Sequence, residues 1–418
     1  MEVNRSSQRV LVLEPHLSGH HGAYLSWIIP GLIEGGRDIT LVTDEAAAMD
    51  AAASPIIELS EAVGPALRVV YDRHEPWLDR SPSSHLGLAR KQLRYWHLFR
   101  RWYDEQAREA PVDAVLLPYL DYCLYVIGVL GSPFRTSAWT GITMRPSFHY
   151  RAMGVQAPAS RQDLLEEILF KRVLKDRHLS RLLTIDEPLF DYVTERYSPA
   201  APIAYLPEPV WTIPVVDPLL AKRELGLDPS CRHILVYGAL GLRKGLLELL
   251  QATLRPDFPA DTTVVLAGVP DRDTRDLLAA PIAAQLRAKR RLLVWDRFMD
   301  DDEEALLYGA ADVVWLGYRG HYGSSGVLAQ AAQARRAVIA CSQGVIGWQT
   351  RRHRLGTTVD ISNPTQVVTA LQLLLDGTVR PPEACPASGG NWCTKAHAQT
   401  ILADALTHMS SAHNQQGS

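Results

Sequence analysis

The sequence HYGSSGVLAQAAQARRAVIA, residues 321–340, passes from a glycine-serine turn into an alanine-rich helix and then into a short apolar strand. The first N–H groups of a helix have no partner within the helix and lie at the positive end of its dipole. A turn of small residues there lets an anion approach the backbone, which predicts a phosphate site. The turn consists of Gly323, Ser324, Ser325 and Gly326. Alternatively, these residues only cap the helix, because serine is a common N-cap.

The same alternation of strand, loop and helix extends through the second half of the chain. The apolar runs that predict buried parallel strands are HILVYG (233–238), TTVVLAG (262–268), RLLVWD (291–296), DVVWLG (312–317) and AVIAC (337–341). This pattern is typical of a doubly wound α/β domain. Ligands of such domains bind at the carboxyl ends of the strands, which here include residues 238–245 and 317–326.

The first half of the chain begins with a βαβ unit. RVLVLE (9–14) predicts a strand that is buried on both faces. The loop PHLSGHHG (15–22), a helix over 23–34 and the strand DITLVT (38–43) follow it. Further apolar runs of the same kind lie at 113–119, 135–142 and 181–186.

A proline-rich segment, 202–218, separates the two series of strands and favours a linker. We therefore expect an α/β protein with two Rossmann-like domains facing across a cleft. The predicted parts are an N-terminal domain (1–208), a C-terminal domain (209–385), and a C-terminal helix returning towards the first domain with a polar tail (386–418).

Composition excludes several classes of protein. The net charge of −3 argues against a nucleic-acid binder that works by bulk positive charge. The five cysteines contain no C-x-x-C pair, which argues against a zinc site or a disulfide framework. The N-terminal residues lack a signal-peptide pattern, and no run approaches the ~20 apolar residues that span a bilayer. We expect a cytoplasmic protein, with a location at the inner face of the membrane as the alternative.

The second half resembles a known family. The resemblance rests on G-x-L-x-x-x-K-G (Gly238, Leu240, Lys244 and Gly245), on AADVVWL (310–316), and on the glycine-serine turn with its helix and the strand VIA. Together these motifs resemble the GT-B glycosyltransferases of the family 4 type (glycosyl transferases group 1). The resemblance implies a second domain that binds a nucleotide diphosphate sugar and a first domain that binds a sugar, lipid-linked or small-molecule acceptor. It also implies a retaining, metal-independent hexosyl transfer with no cofactor beyond the donor.

The chain departs from the family pattern at two glutamate positions, which Tyr322 and Gln330 occupy here. Gln330 can still hydrogen-bond ribose hydroxyls, because its amide both donates and accepts, and Tyr322 can contact the sugar. The missing carboxylates leave open a non-catalytic partner subunit or pseudo-glycosyltransferase. A nucleotide-sugar epimerase or hydrolase is a further alternative.

The remaining candidate site residues fall into groups by role. Lys244 and Arg243 are expected to stabilise the leaving diphosphate, and Gly238 to shape their loop. Arg297 and Phe298 are expected to contact the nucleotide base. The candidates for catalysis or substrate binding in the first domain are Gly19, His20, His21, Gly22, Arg145 and His149, with Asp121 a weaker candidate base. The alternative for each is an ordinary turn, packing or surface residue.

Two charged stretches have competing interpretations. FMDDDEEALL (298–307) contains D-x-D, but acidic residues at a helix start are what the dipole favours, so we expect no metal site. The stretch 88–108 combines Lys and Arg with aromatic residues. At helical spacing Leu93, Trp96, Phe99, Arg100 and Tyr103 form one mostly apolar face. This face predicts peripheral membrane contact or, alternatively, a helix that packs on the core.

Overall fold

The computed structural model describes residues 8–17, 19–49, 54–82, 84–211, 213–377 and 394–414. The chain divides into two compact units. The first comprises Met1–His149, Ala159–Pro207 and Lys395–Ser418. The second comprises Tyr150–Pro158 and Glu208–Thr394. The segment 150–158, which the sequence-based division assigns to the first domain, therefore belongs to the second unit.

All strands of the described residues are short, and apolar residues dominate most of them. They are β1 (Gln8–Leu13), β2 (Arg37–Asp44), β3 (Leu67–Asp72), β4 (Ala114–Leu117), β5 (Ala138–Thr143), β6 (Leu179–Thr184), β7 (Ile203–Tyr205), β8 (Arg232–Tyr237), β9 (Thr262–Ala267), β10 (Leu292–Trp295), β11 (Val313–Leu316), β12 (Ala337–Cys341) and β13 (Gly356–Val359).

Helices connect these strands. They are α1 (Gly19–Glu34), α2 (Ser54–Val63), α3 (His85–Glu109), α4 (Leu124–Leu130), α5 (Asp163–Val173), α6 (Glu187–Arg196), α7 (Pro218–Glu224), α8 (Leu246–Thr253), α9 (Arg272–Ala279), α10 (Pro281–Ala288), α11 (Asp301–Ala310), α12 (Gly326–Gln333), α13 (Gly344–Arg352), α14 (Pro364–Leu375) and α15 (Lys395–Asn414).

Each unit contains one parallel sheet with the same winding. The first sheet has the order β3-β2-β1-β4-β5-β6-β7, and the second has the order β10-β9-β8-β11-β12-β13. In both, the chain starts in the middle, moves to one edge, returns, and continues to the other edge. This is the doubly wound Rossmann order, so the prediction of two Rossmann-like α/β domains is confirmed. The central strands β1 and β11 are largely buried because helices cover both faces of each sheet.

The last helix packs in the first unit. Leu402 and Leu406 of α15 are buried in the core that α1 also covers. Gly31 of α1 permits this approach, because an added Cβ would lie 2.6 Å from Cγ of Gln399. The amide of Gln399 in turn donates to Trp27 O at 2.9 Å. The polar tail predicted after this helix lies partly outside the described residues.

The segment 150–158 packs on α13 within the second unit. Gly344 N donates to Gln156 O at 2.8 Å, and Trp348 Nε1 donates to Met153 O at 2.9 Å. Val345 is buried beside Tyr150 in a small apolar cluster. The segment therefore completes the surface of a helix that lies almost two hundred residues later in the chain.

Helix α3 packs on the first unit through a face that only partly matches the predicted one. Of the predicted face, Phe99 and Tyr103 are buried, Trp96 and Arg100 are partly buried, and Leu93 is exposed. The helix therefore packs on the core, because its large aromatic side chains gain from burial, and peripheral membrane contact stays a prediction. Across the part of the chain that the structure describes, every helix is too short or too polar to span a bilayer.

Candidate functional site

The second sheet reverses its winding between β8 and β11, which are neighbours. At such a point the loops after the two strands leave the sheet in opposite directions and open a crevice at its carboxyl edge. The loop after β8 carries residues 238–245, and the segment after β11 leads to α12. The two loops that the sequence singled out therefore lie at the position where doubly wound sheets bind ligands.

Lys244 is the most unusual residue of this edge. It ends the 3-10 turn Leu242–Lys244 and is only 5% exposed. Its ammonium group donates to Tyr237 O at the end of β8, and no carboxylate among the described residues pairs with it. Burial, with a smaller contribution from Arg243, lowers the pKa of Lys244 to about 8. A buried cation with a lowered pKa and no anionic partner favours the binding of an anion.

Two glycines make room for this lysine. Gly238 has φ +87°, and a Cβ built there would lie 3.4 Å from Lys244 Nζ. Gly245 has φ +68°, and a Cβ there would lie 2.2 Å from Gly317 O, at the end of β11. Trp315 Nε1 also donates to Lys244 O at 2.8 Å. The loop after β8 is thus fixed against β11 by a close backbone approach that only glycine permits.

Tyr318 joins the cationic loop to the start of α12. Its ring lies 5.8 Å from Lys244 Nζ and 5.9 Å from Arg243 Cζ, and its hydroxyl is 3.4 Å from Ser325 Oγ. The side chain of Arg243 is exposed, while its carbonyl accepts from Arg319 N at 2.6 Å. The structure therefore brings together two motifs that lie about eighty residues apart in the sequence: the pair Arg243 and Lys244, and the serine turn.

The serine turn is not explained by capping alone. Ser325 occupies the N-cap position of α12, but its hydroxyl makes no capping hydrogen bond. Ser324 Oγ donates to Glu208 Oε2 at 3.0 Å, and Ser324 O contacts His321 Nε2 at 2.9 Å. The first turn of α12 has no acidic residue of its own. The carboxylate beside this turn is instead supplied by Glu208, at the start of the second unit's main segment.

Both residues at the replaced glutamate positions have partners inside the second unit. The amide of Gln330 donates to Glu304 Oε1 and accepts from the hydroxyl of Tyr308 at 3.1 Å. Trp211 Nε1 donates to the other oxygen of Glu304 at 2.8 Å. The predicted ribose contact of Gln330 would have to compete with this network, which holds the amide towards α11.

Tyr322 also lies in packed surroundings. It is partly buried against the cluster of Tyr150 and Val345, and its carbonyl accepts from Val345 N at 2.9 Å. A Cβ added to the neighbouring Gly323 would lie 3.8 Å from the ring of His321, which is an ordinary van der Waals distance. The predicted sugar contact of Tyr322 is therefore restricted to the part of its side chain that remains exposed.

Arg297 and Phe298 follow β10, the edge strand of the second sheet. Arg297 pairs with Glu303, and the Phe298 ring is 82% exposed. Asp300 caps α11 by accepting from Glu303 N at 2.8 Å. The acidic run thus serves the helix start, and no cluster of three or more metal-ligating side chains occurs among the residues described. An exposed aromatic ring at a carboxyl edge is suited to stacking on a planar base.

The first unit has its own cluster at the corresponding point, between β1 and β4. Glu14 follows β1, and its side chain is 1% exposed. Its Oε1 accepts from the hydroxyl of Tyr122 at 3.0 Å and lies 3.4 Å from His21 Nδ1. Glu14 Oε2 has no hydrogen-bond partner in the described chain. A buried carboxylate beside one ring nitrogen of a histidine orients the other nitrogen for proton transfer.

The first turn of α1 positions this histidine. The helix begins at Gly19 (φ +58°), four residues earlier than the sequence predicted. The first turn of the helix therefore consists of Gly19, His20, His21 and Gly22. This differs from the prediction, which placed these residues in a loop before the helix. His20 is exposed, and its ring packs on Tyr24 with centroids 4.5 Å apart.

Arg145 and Asp121 also lie at this edge. Arg145 Nε donates to the hydroxyl of Tyr119 at 3.2 Å, and the side chain remains exposed. Asp121 accepts from Thr143 Oγ1 at 2.7 Å and from Met144 N at 2.8 Å, so it joins the ends of β4 and β5. Burial raises the pKa of Asp121. Arg145 keeps its predicted access to a ligand, whereas Asp121 acts first as a connector of strands.

The structure places His149 in the interior of the first unit. Its side chain is 0% exposed, and Nε2 lies 3.1 Å from Asp186 Oδ1. Asp186 caps α6 by accepting from Leu189 N at 2.9 Å. His149 therefore supports the cap of α6, a setting that the sequence did not predict, and its catalytic role stays a prediction.

Four residues of these sites escaped the sequence analysis: Glu14, Glu208, Glu304 and Tyr318. Glu14 had a readable signal, since a charged residue ends an otherwise apolar strand at the edge where ligands bind. Glu208 and Glu304 had none, because each reaches its partner from a distant part of the sequence.

Comparisons with known proteins identify the fold by structure and not by sequence. In sequence, the chain matches no protein-family model and no curated protein. In structure, it is similar to sucrose-phosphate synthase from Thermosynechococcus elongatus, with TM-score 0.61 and 15% identity over 98% of this chain and 99% of that one. A glycosyltransferase from Rickettsia africae has TM-score 0.57 and 12% identity, covering 98% of this chain and 97% of its own.

A third similar structure is HepE from Anabaena in complex with UDP and glucose. It has TM-score 0.57 and 13% identity, and the match covers 98% of this chain and 99% of that one. The chain therefore shares, over 98% of its length, the two-domain fold of GT-B glycosyltransferases.

Proposed function

We propose that the chain transfers a sugar from a nucleoside diphosphate sugar to a hydroxyl or amine acceptor. The observation that carries this proposal is Lys244, a buried cation without a carboxylate partner at the carboxyl edge of the second sheet. The second unit binds the donor, and the first unit binds the acceptor. Two further similar structures, of HepE in complex with UDP and of HepE in complex with UDP-glucose, support a nucleotide-sugar donor for this chain as well.

Each group of the second unit has a role in this proposal. Lys244, Arg243 and the N-terminus of α12 neutralise the charge that develops on the leaving diphosphate, which speeds the transfer without a metal ion. Ser324, Ser325 and Gly326 contact the diphosphate, and Phe298 stacks on the base. Gly238 keeps the space above Lys244 open. The transfer retains the anomeric configuration, with the leaving phosphate helping to deprotonate the acceptor.

In the first unit, His21 and Arg145 contact the acceptor. Glu14 holds one nitrogen of the His21 ring, so the other nitrogen is free to accept a hydrogen bond from the acceptor hydroxyl. Arg145, held by Tyr119, adds positive charge beside the bound acceptor.

The first test is a thermal-shift screen of the full chain with UDP, GDP, ADP, dTDP and CMP. We expect one nucleoside diphosphate to raise the midpoint of unfolding, because a ligand that binds only the folded state stabilises it. CMP serves as the control, since it carries a single phosphate. If none of the nucleotides shifts the midpoint at millimolar concentration, the proposed donor site does not exist.

A second candidate function is a non-catalytic partner subunit. Glu208 favours it, because its carboxylate contacts Ser324 at the turn that would receive the diphosphate, and a negative charge there opposes an anion. The absence of any nucleotide shift in the screen would support this function over transfer.

Nucleotide binding is also expected to depend on pH. Lys244 has a pKa of about 8 in the free protein, and a bound diphosphate raises it by favouring the charged form. Below pH 8 the lysine is already protonated, so the affinity changes little there on account of this residue. Above pH 8 binding must take up a proton, and the affinity falls by up to about tenfold per pH unit. Calorimetry at pH 9 in two buffers of different ionisation enthalpy measures this uptake, and an uptake of zero would contradict the role of Lys244.

A further inference from the structure

A cavity lies at the carboxyl edge of the first sheet, beside the cluster of Glu14 and His21. Its volume is about 180 Å³. The lining residues come from the ends of β1 and β2 and from the segment after β3; the polar ones are His16, Asp44, His74 and Asp79. None of these four side chains takes part in the proposed transfer. His16 connects the cavity to the cluster, since its ring centroid is 5.4 Å from that of His21.

We infer that this cavity binds one monosaccharide unit of the acceptor, and that this unit is neutral or carries an amino group. The inference rests on the proposed function and names the class of acceptor.

The size of the cavity supports a single sugar ring. At about 30 Å³ per water molecule, 180 Å³ holds about six waters. Pockets for larger organic ligands start at about 300 Å³. The cavity is therefore large enough for one sugar ring, and the rest of a longer acceptor would extend into solvent.

The lining has the mixed character that a sugar needs. Pro15, Leu17, Leu78 and two alanines provide apolar surface for the C–H face of the ring. Burial lowers the pKa of His16, so its ring is neutral near pH 7 and offers one donor and one acceptor nitrogen. A sugar hydroxyl also donates and accepts, which makes His16 a matched partner.

The charges of the lining exclude an anionic sugar. His74 bridges two carboxylates: Nδ1 lies 2.9 Å from Asp44 Oδ1, and Nε2 lies 3.3 Å from Asp79 Oδ2. The hydrogen bond with Asp44 raises the pKa of His74, which favours its charged form. With either form of His74 the trio carries net negative charge, which the ammonium group of Lys91 offsets in part. A phosphate or carboxylate on the sugar would be repelled, whereas an ammonium group would be attracted by the exposed Asp79.

The wall after β3 is preformed. Lys91 of α3 donates to Leu78 O and to Arg80 O, each at 2.8 Å, and so holds the segment on both sides of Asp79. Arg101 of the same helix pairs with Asp72 and Glu75. Because these contacts fix the segment before any ligand arrives, little ordering entropy is lost on binding.

Ligand-observed NMR on the full chain tests the inference with methyl glucoside, glucosamine and glucose 6-phosphate as probes. We expect saturation transfer to methyl glucoside and glucosamine and none to glucose 6-phosphate. Ala47→Phe fills the cavity and should weaken binding of both sugars by at least about tenfold, a loss of about 1.4 kcal/mol. Ala107→Phe, at an exposed position of α3, is the matched control and should bind as the parent does.

Asp79→Asn provides a second test of sugar binding if Ala47→Phe fails to fold. It removes the exposed carboxylate, so glucosamine should bind about two- to fivefold more weakly while methyl glucoside is unaffected. Equal saturation of glucose 6-phosphate and glucosamine in the parent, or unchanged binding in Ala47→Phe, would overturn the inference. The UDP thermal shift is recorded on the same samples: a UDP shift without sugar binding refutes only the inference, and sugar binding without any nucleotide shift refutes only the proposed donor site.

Discussion

Replacing Lys244 with methionine is expected to weaken the binding of the nucleoside diphosphate by about ten- to a hundredfold, the worth of one or two charged hydrogen bonds. Lys244 is the buried cation at the end of β8, and methionine keeps its length and its contacts with the loop but removes the charge. The thermal shift by UDP should therefore be absent or much reduced in the variant. Isothermal titration of both proteins at pH 7.5 measures the difference.

The same substitution is expected to stabilise the ligand-free protein. The pKa of Lys244 falls from 10.5 to about 8 on folding, which corresponds to a cost of about 3 kcal/mol for keeping the charge at pH 7. Between the two pKa values the unfolded chain binds more protons than the folded one, so the stability of the parent rises from pH 8 to pH 10.5. The advantage of the methionine variant is thus largest at and below pH 7 and fades across that range.

Lys222→Met is the matched control for this prediction. Lys222 is also buried, at 6% exposure, but it pairs with Asp312 at 3.0 Å. Removing it leaves that carboxylate without its partner, so the variant should be less stable than the parent and bind UDP normally. A Lys244→Met protein that is less stable than the parent and binds UDP with unchanged affinity would contradict the role we give to Lys244.

Gly245→Ala is expected to destabilise the second unit severely. The residue has φ +68°, and the added Cβ would lie 2.2 Å from Gly317 O. The overlap involves backbone on both sides, so it cannot be relieved by rotating a side chain. We expect a loss of more than about 4 kcal/mol, in the range that only a few kinds of substitution reach.

Gly226→Ala separates the two causes of this loss. Gly226 has nearly the same φ, +65°, but nothing lies within 4 Å of its added Cβ. It should therefore cost only the conformational term of about 1–2 kcal/mol. Calorimetry measures the midpoint of unfolding, which shifts by about 2–4 °C per kcal/mol. The midpoint should fall by about 2–8 °C for Gly226→Ala and by more than about 8 °C for Gly245→Ala. Equal losses of stability in the two variants would show that the close approach of the loop to β11 does not contribute to the effect of Gly245→Ala.

Sequence patterns were informative for the central strands and weak at the edges. The buried runs that became β1, β8 and β11 are continuous and apolar, because helices cover both faces of a parallel sheet. By contrast, β3 mixes exposed and buried residues, and β7 lies inside the segment that its prolines marked as a linker. Edge strands bury less apolar surface, so their sequences show the continuous apolar run less clearly.

The site could be predicted where one loop supplies the chemistry. Lys244 and the glycines beside it stand in one short motif, and the structure places them together. The burial of His149 could not be predicted, because the sequence shows a histidine near a strand end but not the aspartate, thirty-seven residues later, that holds it in the interior. The roles of Glu208 and Glu304 could not be predicted for the same reason, because their contacts form only in the folded chain.

The course of the chain also affects how the protein is made. Residues 150–158 pack on α13, and α15 supplies buried leucines to the first unit. During synthesis most of the first unit therefore emerges from the ribosome long before α15, and its core stays incomplete until that helix has emerged. The two units cannot be obtained separately by one cut, and a chain stopped before residue 395 would expose the part of the first core that α15 covers.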